Sequence, residues 1–135
     1  MKVSIKNSDQ NQKLLYLLIE NRIYDGYVYN DSFEMTSGKF INNYRLVGTL
    51  NISGRYDVKF GYKFPLNKLV LIATPLAITT ALVLIFTEYW ELSPIIFILI
   101  GIKFSLFKYH ERKELNRFET EFLKLYKTQE LKYEF

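Results

Sequence analysis

The sequence predicts a membrane protein of the α+β class, in which a transmembrane helical hairpin is inserted between a small antiparallel β-sheet and a C-terminal amphipathic helix. The apolar residues of the 135-residue chain are concentrated between Leu69 and Phe107. Alternating strand patterns precede this segment, and an apolar stripe with helical spacing follows it. We therefore expect a cytoplasmic β-rich part over residues 1–65, a transmembrane hairpin over 66–108 and a cytoplasmic helix over 109–135.

The residues just before the apolar segment predict a β-hairpin. In "RYDVKFGYKF" apolar residues occupy every second position, and charged residues or glycine lie between them: Tyr56, Val58, Phe60, Tyr62 and Phe64. The preceding "RLVGTLNIS" places Gly48, Leu50 and Ile52 on one face. The turn is expected at Ser53-Gly54-Arg55, because glycine accepts a positive φ there.

Further strands are expected towards the N-terminus. The stretch "YDGYVYNDSFEMTSG" predicts a second hairpin with Asn30-Asp31 at its turn, and Met1 to Ile5 predicts another strand. The run Leu14 to Ile19 fits either a buried strand or a short helix, because six continuous apolar residues do not distinguish the two. The sheet should therefore contain four or five strands.

Two apolar segments predict the membrane hairpin. Leu69 to Phe86 contains no charged residue and would span about 27 Å as a helix, close to the hydrocarbon thickness of a bilayer. Leu92 to Phe107 would span about 24 Å and contains Lys103. The short "TEYWE" connection between them favours a chain that crosses and returns.

The charges predict the orientation of this hairpin. The connection carries Glu88 and Glu91 and no Lys or Arg, whereas basic residues flank both outer ends of the hairpin. By the positive-inside rule both termini are cytoplasmic. The N-terminus lacks the long apolar stretch of a secretory signal. We therefore expect a multi-pass protein of the inner (plasma) membrane.

Basic and aromatic side chains at the ends of the segments are candidate membrane-interface anchors. They are Lys68, Tyr89, Trp90, Lys103, Lys108, Tyr109, Arg112 and Lys113. Lys103 lies about one turn from the cytoplasmic end, so its ammonium is expected to reach the headgroups. A contact with an ion or substrate, and a pair buried in the bilayer, are the alternatives for this lysine.

Small residues at a spacing of four are candidate helix-packing positions. The first segment has Ala73, Ala77 and Ala81, and the second has Gly101 and Ser105. Small side chains let two helix backbones approach closely. The two segments are expected to pack against each other, with self-association between copies as the alternative.

The C-terminal region predicts an amphipathic helix. Its apolar residues recur at steps of three, four and three: Leu115, Phe118, Phe122 and Leu125. Neither Pro nor Gly occurs after Gly101, so this helix can continue directly from the second apolar segment. We expect the apolar stripe to cover the sheet, and pairing between protomers is the alternative.

The composition excludes several kinds of chemistry. The chain has no cysteine and a single histidine, His110, and it contains no glycine-rich phosphate loop or zinc-binding motif. We expect no catalytic residue, no metal site and no cofactor. The tyrosines among basic residues fit a sheet better than a nucleic-acid surface, so no nucleic acid partner is expected.

The order "YDGYVYNDSFEM", "YRLVGTLNISG", "YDVKF", membrane hairpin and polar C-terminal helix resembles a loose group of small bacterial membrane proteins. Members of this group have two transmembrane helices and a β-rich cytoplasmic part. The resemblance covers Tyr24 to about Leu125. It implies the architecture described above, and it implies no particular activity because the group has no settled one.

The sequence therefore favours a non-enzymatic integral membrane protein with a cytoplasmic β-rich module for binding or scaffolding. Its expected partners are membrane lipids, an unidentified protein or small ligand, and further copies of the same chain in a homo-oligomer. The alternative function is a membrane-disrupting effector of the defence or toxin type, in which ligand binding to the β-module drives oligomerisation. That alternative resembles the β-module transmembrane effectors of bacterial cyclic-nucleotide defence systems, whose membrane segments precede the sheet.

Overall fold

The computed structural model describes residues 3–37 and 43–133, with side chains up to residue 129. Within these residues the chain forms five strands and three helices, in the order β1 (Val3–Lys6), α1 (Asp9–Glu20), β2 (Tyr24–Val28), β3 (Ser32–Ser37), β4 (Tyr44–Leu50), β5 (Arg55–Tyr62), α2 (Leu66–Leu84) and α3 (Leu92–Tyr133). The predicted α+β class and antiparallel sheet are confirmed. The first two residues of the predicted N-terminal strand, and residues 134–135 of the predicted C-terminal helix, lie outside the described residues.

The chain folds into two compact units. One contains Met1–Tyr62 together with Arg112–Phe135, and the other contains Lys63–Glu111. The first unit is therefore built from two separate stretches of sequence, which the second unit divides. We call them the sheet unit and the helix-pair unit.

The sheet unit is built on one five-stranded antiparallel sheet in the order β1-β5-β4-β3-β2. Strands β2 to β5 follow one another as a meander. β1 pairs with the edge of β5 that faces away from β4, and Val3 lies opposite Val58 in this pair. β1 and β2 are thus the two edge strands.

Helix α1 resolves the ambiguity over Leu14 to Ile19. Ser8 caps its N-terminus, because the Ser8 hydroxyl accepts a hydrogen bond from the backbone N–H of Asn11 at 3.3 Å. Leu14, Leu15 and Leu18 lie on its buried face. The apolar run is thus the inner face of a longer helix that begins in polar sequence.

One face of the sheet carries the hydrophobic core, since inward residues alternate with outward ones along each strand. The core joins this face to α1 and to the C-terminal part of α3, and the largest fully buried side chains are Tyr24, Tyr56, Phe33, Phe118, Leu14, Leu15, Leu18, Met35, Leu46 and Leu115. The apolar stripe of the C-terminal helix thus packs on the sheet of its own chain. The opposite face of the sheet is polar and open.

Two glycines are required by close packing within the sheet. A Cβ atom on Gly48 would lie 2.1 Å from the ring of Phe33, which fills the space above this glycine. Gly26 has a φ of +156°, and a Cβ atom there would lie 2.0 Å from the carbonyl oxygen of Glu34. Strand β3 therefore packs directly against glycine backbone on both sides.

Three details of the hairpin predicted just before the apolar segment differ in the structure. The turn occupies residues 51–54, because the N–H of Gly54 bonds to the carbonyl of Asn51, so Arg55 already belongs to β5. Ile52 is in this turn and fully exposed, whereas the alternation had placed it on the strand. Phe64 is exposed as well and follows the end of β5.

The helix-pair unit contains α2 and the first part of α3. α2 begins three residues before the predicted segment and ends two residues earlier. α3 is one continuous helix of 42 residues, and so the second apolar segment does continue into the amphipathic helix. Thr79 and Thr80 each donate a hydrogen bond to the carbonyl four residues earlier, on Pro75 and Leu76.

Candidate membrane-spanning helices and binding groove

The helix-pair unit presents apolar side chains that the protein does not cover. α2 and α3 both pass the length and composition test for a membrane span, and only 6% of the most apolar part of each is buried. Leu71 of α2 is 75% exposed, and Phe104 of α3 is 63% exposed. In a soluble protein such helices would be largely buried in a core. Uncovered apolar helices of this length suit a lipid environment.

Lys103 makes a polar contact within this unit. Its ammonium donates a hydrogen bond to the hydroxyl of Thr74 on α2 at 2.8 Å, and both side chains are partly buried. The Thr74 hydroxyl in turn donates to the carbonyl of Val70 at 2.7 Å. The sequence identified Lys103 as an anchor but gave no partner for it.

The other predicted anchors lie near the ends of the apolar segments. Tyr89 and Trp90 are exposed in the connection between α2 and α3. The Lys68 ammonium lies 5.5 Å from the ring centre of Phe64, and Lys108 forms an ion pair with Glu111 at 2.6 Å. Tyr109, Arg112 and Lys113 are exposed, and the Tyr109 ring contacts His110 edge-on.

The predicted helix-packing residues are not all in contact. Ala81 is fully buried and Ala77 is partly buried, whereas Ala73 is exposed. Gly101 and Ser105 are also exposed, and a Cβ atom on Gly101 would meet nothing within 4 Å. Ser93 is 2% exposed, and it is a buried position that the sequence did not single out.

The sheet unit contains a groove at the free edge of β1, with a volume of about 450 Å³. Its apolar lining comes from β1 and α3: Val3, Ile5, Phe118, Phe122, Leu123 and Tyr126. Its polar lining is Ser4, Lys6, Asn11, Arg55 and Glu119. Ser4 and Ile5 belong to opposite faces of the sheet, so the groove lies along the strand edge itself, where a further strand would lie. Its volume is in the range of ligand sites in proteins.

A buried polar cluster lies on the inner face of the sheet, beneath β2 and β3. Arg117 donates a hydrogen bond to Ser37 at 2.7 Å, lies over the ring of Tyr24 and forms an ion pair with Glu114 at 3.6 Å. Arg117 is thus partly buried against the sheet. Burial, and next the charge of Glu114, raise the pKa of Tyr24 well above its ordinary range.

The carboxylates of Glu34 and Asp31 make contacts with neighbouring side chains. Glu34 is paired with Arg45 at 2.7 Å and accepts a hydrogen bond from Tyr27 at 3.1 Å. Asp31 accepts a hydrogen bond from the adjacent Ser32. No group of three His, Asp or Glu side chains suited to a metal ion occurs in the described ranges. Glu34 and Asp31 are thus held by neighbouring side chains.

Sequence reasoning missed the groove. The pairing of β1 with β5 brings together Lys6 and Arg55, which are far apart in the sequence, and no local pattern encodes that pairing. Comparison with known proteins adds no assignment: no family model, curated protein or solved structure is significantly similar to this chain.

Proposed function

We propose that this chain is an integral protein of the bacterial inner membrane whose sheet unit serves as a cytoplasmic, non-enzymatic binding module. In this proposal α2 and the first part of α3 cross the bilayer as a helical hairpin, and both termini are cytoplasmic. One observation carries it: two helices of spanning length are only 6% buried over their most apolar parts.

The charges support the orientation. The connection between the helices carries Glu88 and Glu91 but no basic residue. Lys63 and Lys68 lie at the other end of α2, and Lys108 lies at the end of the apolar part of α3. Basic residues are retained on the cytoplasmic side of short membrane segments.

Two features support binding as the role of the sheet unit. The groove at β1 combines an apolar wall with a few polar groups, as ligand sites do. The carboxylates of Glu34 and Asp31 are held by structural partners. The sheet unit thus offers a surface for recognition.

Reporter fusions test the proposed topology. Alkaline phosphatase fused at Trp90 should be active, whereas a fusion at Phe135 should be inactive, and green fluorescent protein should show the reverse pattern. The chain should also remain in the membrane pellet after alkaline carbonate extraction. Reporters that place both positions in one compartment, or a chain that is soluble without detergent, would overturn the proposal.

A second candidate function is assembly of several copies into a membrane-disrupting effector. The exposure of Ala73, Gly101 and Ser105 favours it, because small uncovered residues allow the helices of another copy to approach closely. Reconstituted protein would then release a trapped dye from vesicles, and its overproduction would arrest growth. Intact vesicles and normal growth would remove this candidate.

A further inference from the structure

The free edge of β1 presents backbone groups to the groove. In an antiparallel pair, hydrogen-bonded residue pairs alternate with pairs whose backbone groups point away from the partner strand. The N–H of Asn7 donates to the carbonyl of Gly54 at 2.9 Å, so this pair is a hydrogen-bonded one. Counting back along the register, Ser4 and Lys6 direct their backbone groups away from β5 and into the groove.

Side chains of the protein already satisfy the two outward carbonyls. The amide of Asn11 donates to the carbonyl of Lys6 at 2.9 Å, and the guanidinium of Arg55 donates to the carbonyl of Ser4 at 3.4 Å. The backbone N–H groups of Ser4 and Lys6 remain directed into the groove. This edge therefore offers donors, which suit a ligand rich in acceptors.

The charges at this edge are unbalanced. Lys6 and Arg55 are directly opposite each other in the register, and both are exposed. Two like charges in this position destabilise a strand pair. The ion pairs of the described residues involve neither of them. Glu119 is the one carboxylate in the groove lining described, so an acidic ligand would relieve the excess of positive charge.

The apolar wall limits the kind of acidic ligand. Leu123 is 50% exposed beside the buried Phe122, so this part of the wall is open to a partner. A strand added to β1 would direct alternate side chains towards this wall and the remaining ones towards Lys6 and Arg55. The groove therefore matches an extended segment in which acidic and apolar residues alternate.

We propose that the groove binds an extended acidic peptide segment, which adds to the sheet as a further strand beside β1. Strand addition of this kind gains affinity from main-chain hydrogen bonds and specificity from side-chain pockets. The proposal rests on the proposed function only in assigning binding to the sheet unit, and it does not depend on the membrane topology.

Peptide binding to the full chain in detergent tests the proposal. The probe is a short fluorescent peptide in which glutamate and valine alternate, and its controls are a lysine–valine peptide and a backbone N-methylated glutamate–valine peptide. We expect only the first to bind. The Arg55→Glu variant should weaken its binding roughly tenfold or more, because the charge next to the ligand is reversed. The Leu123→Asp variant should abolish it.

Matched variants distinguish binding at the groove from a general effect of the protein's net charge. Lys59→Glu changes the net charge as Arg55→Glu does, on the same strand and face, but Lys59 does not line the groove. This variant should bind the acidic peptide as the original chain does. The double variant Lys6→Glu, Arg55→Glu should instead bind the lysine–valine peptide. Unchanged circular dichroism would show that the variants fold.

Several results would overturn the proposal. These are absence of binding, equal binding of the N-methylated peptide, and binding that Arg55→Glu and Lys59→Glu weaken equally. If Leu123→Asp changes the mass of the detergent-solubilised protein while no peptide binds, the groove holds a second copy instead. The reporter fusions at Trp90 and Phe135 report topology whichever result is obtained, so failure here is distinguishable from failure of the membrane proposal.

Discussion

The ammonium of Lys103 donates a hydrogen bond to the hydroxyl of Thr74 at 2.8 Å and so joins α3 to α2. An ammonium that only anchors the helix at the headgroups would need no partner on the other helix. Hydrogen bonds between helices in a membrane contribute about 0.6 kcal/mol on average. This contact therefore gives Lys103 a role in holding the two helices together.

A double-mutant cycle measures that role. Lys103→Met and Thr74→Val should each lower the free energy of unfolding in mixed detergent and dodecyl sulfate micelles, with a coupling energy of about 0.6 kcal/mol. Thr80→Val is the control, because Thr80 also bonds to the carbonyl four residues earlier but is exposed. It should show no coupling to Lys103→Met. If the effects of Lys103→Met and Thr74→Val are strictly additive, Lys103 acts only as an anchor at the headgroups.

Substitution of Gly48 tests the contact with Phe33. Gly48→Ala should destabilise the sheet unit by about 1–3 kcal/mol, because the new methyl group would overlap the ring. Gly61→Ala, on the next strand, should have little effect, since nothing lies within 4 Å of its Cβ position. Urea denaturation of the solubilised chain measures both. Phe33→Leu should recover part of the loss in the Gly48→Ala background, and a lack of recovery would contradict the contact.

Truncation of Phe118 tests the packing of α3 on its own sheet. Phe118 is fully buried and its ring contacts those of Tyr24, Phe33 and Phe122. Phe118→Ala should therefore cost about 3–5 kcal/mol, and Lys124→Ala on the exposed face should cost little. Thermal unfolding at several protein concentrations provides the measurement. A loss that grows on dilution would instead indicate that the stripe pairs between protomers.

The two fully buried tyrosines should respond differently to loss of the hydroxyl. The Tyr56 hydroxyl donates to the carbonyl of Asn30 at 2.8 Å and accepts from Gln12 at 3.2 Å. The Tyr24 hydroxyl lies near the Glu114 carboxylate but makes no hydrogen bond of good geometry with a described residue. Tyr56→Phe should thus cost about 1 kcal/mol, whereas Tyr24→Phe should be close to neutral at pH 7. Chemical denaturation at neutral pH compares the two variants.

The stability contributed by neutral Tyr24 should be lost in alkali. Its pKa is raised by burial in the folded chain, so the unfolded chain releases this proton first. The contribution is complete below the unfolded pKa of about 10 and is lost as the pH rises towards the higher folded pKa. Stability of the original chain should therefore fall above about pH 10, and Tyr24→Phe should reduce that fall. Equal pH profiles for both chains would contradict the assignment.

The local patterns predicted the meander and the apolar helices well. Alternation along Tyr56, Val58 and Phe60 is set by the pleat, and the length of α2 follows from its run of apolar residues. The helix α1 could not be decided in the same way. The sequence signal for this helix is the cap at Ser8 followed by polar residues. The six continuous apolar residues from Leu14 to Ile19 fit a strand as well as a helix, so they did not decide between the two.

Contacts between distant residues could not be predicted. Lys6 meets Arg55 only because β1 pairs with β5, and Lys103 meets Thr74 only because of the rotation of each helix about its axis. Neither the register nor the rotation follows from a single-sequence pattern. The candidate groove and the polar contact between the helices were therefore visible only in the structure.

The sheet unit is discontinuous in sequence, which determines when it can be completed during synthesis. Strand β5 ends at Tyr62, but the residues of α3 that cover the sheet begin about fifty positions later, at Leu115. At roughly 5–20 residues per second, the ribosome leaves the apolar face of the sheet only partly covered for several seconds. Until Leu115 and the residues after it have been made, α1 alone covers the apolar face of the sheet.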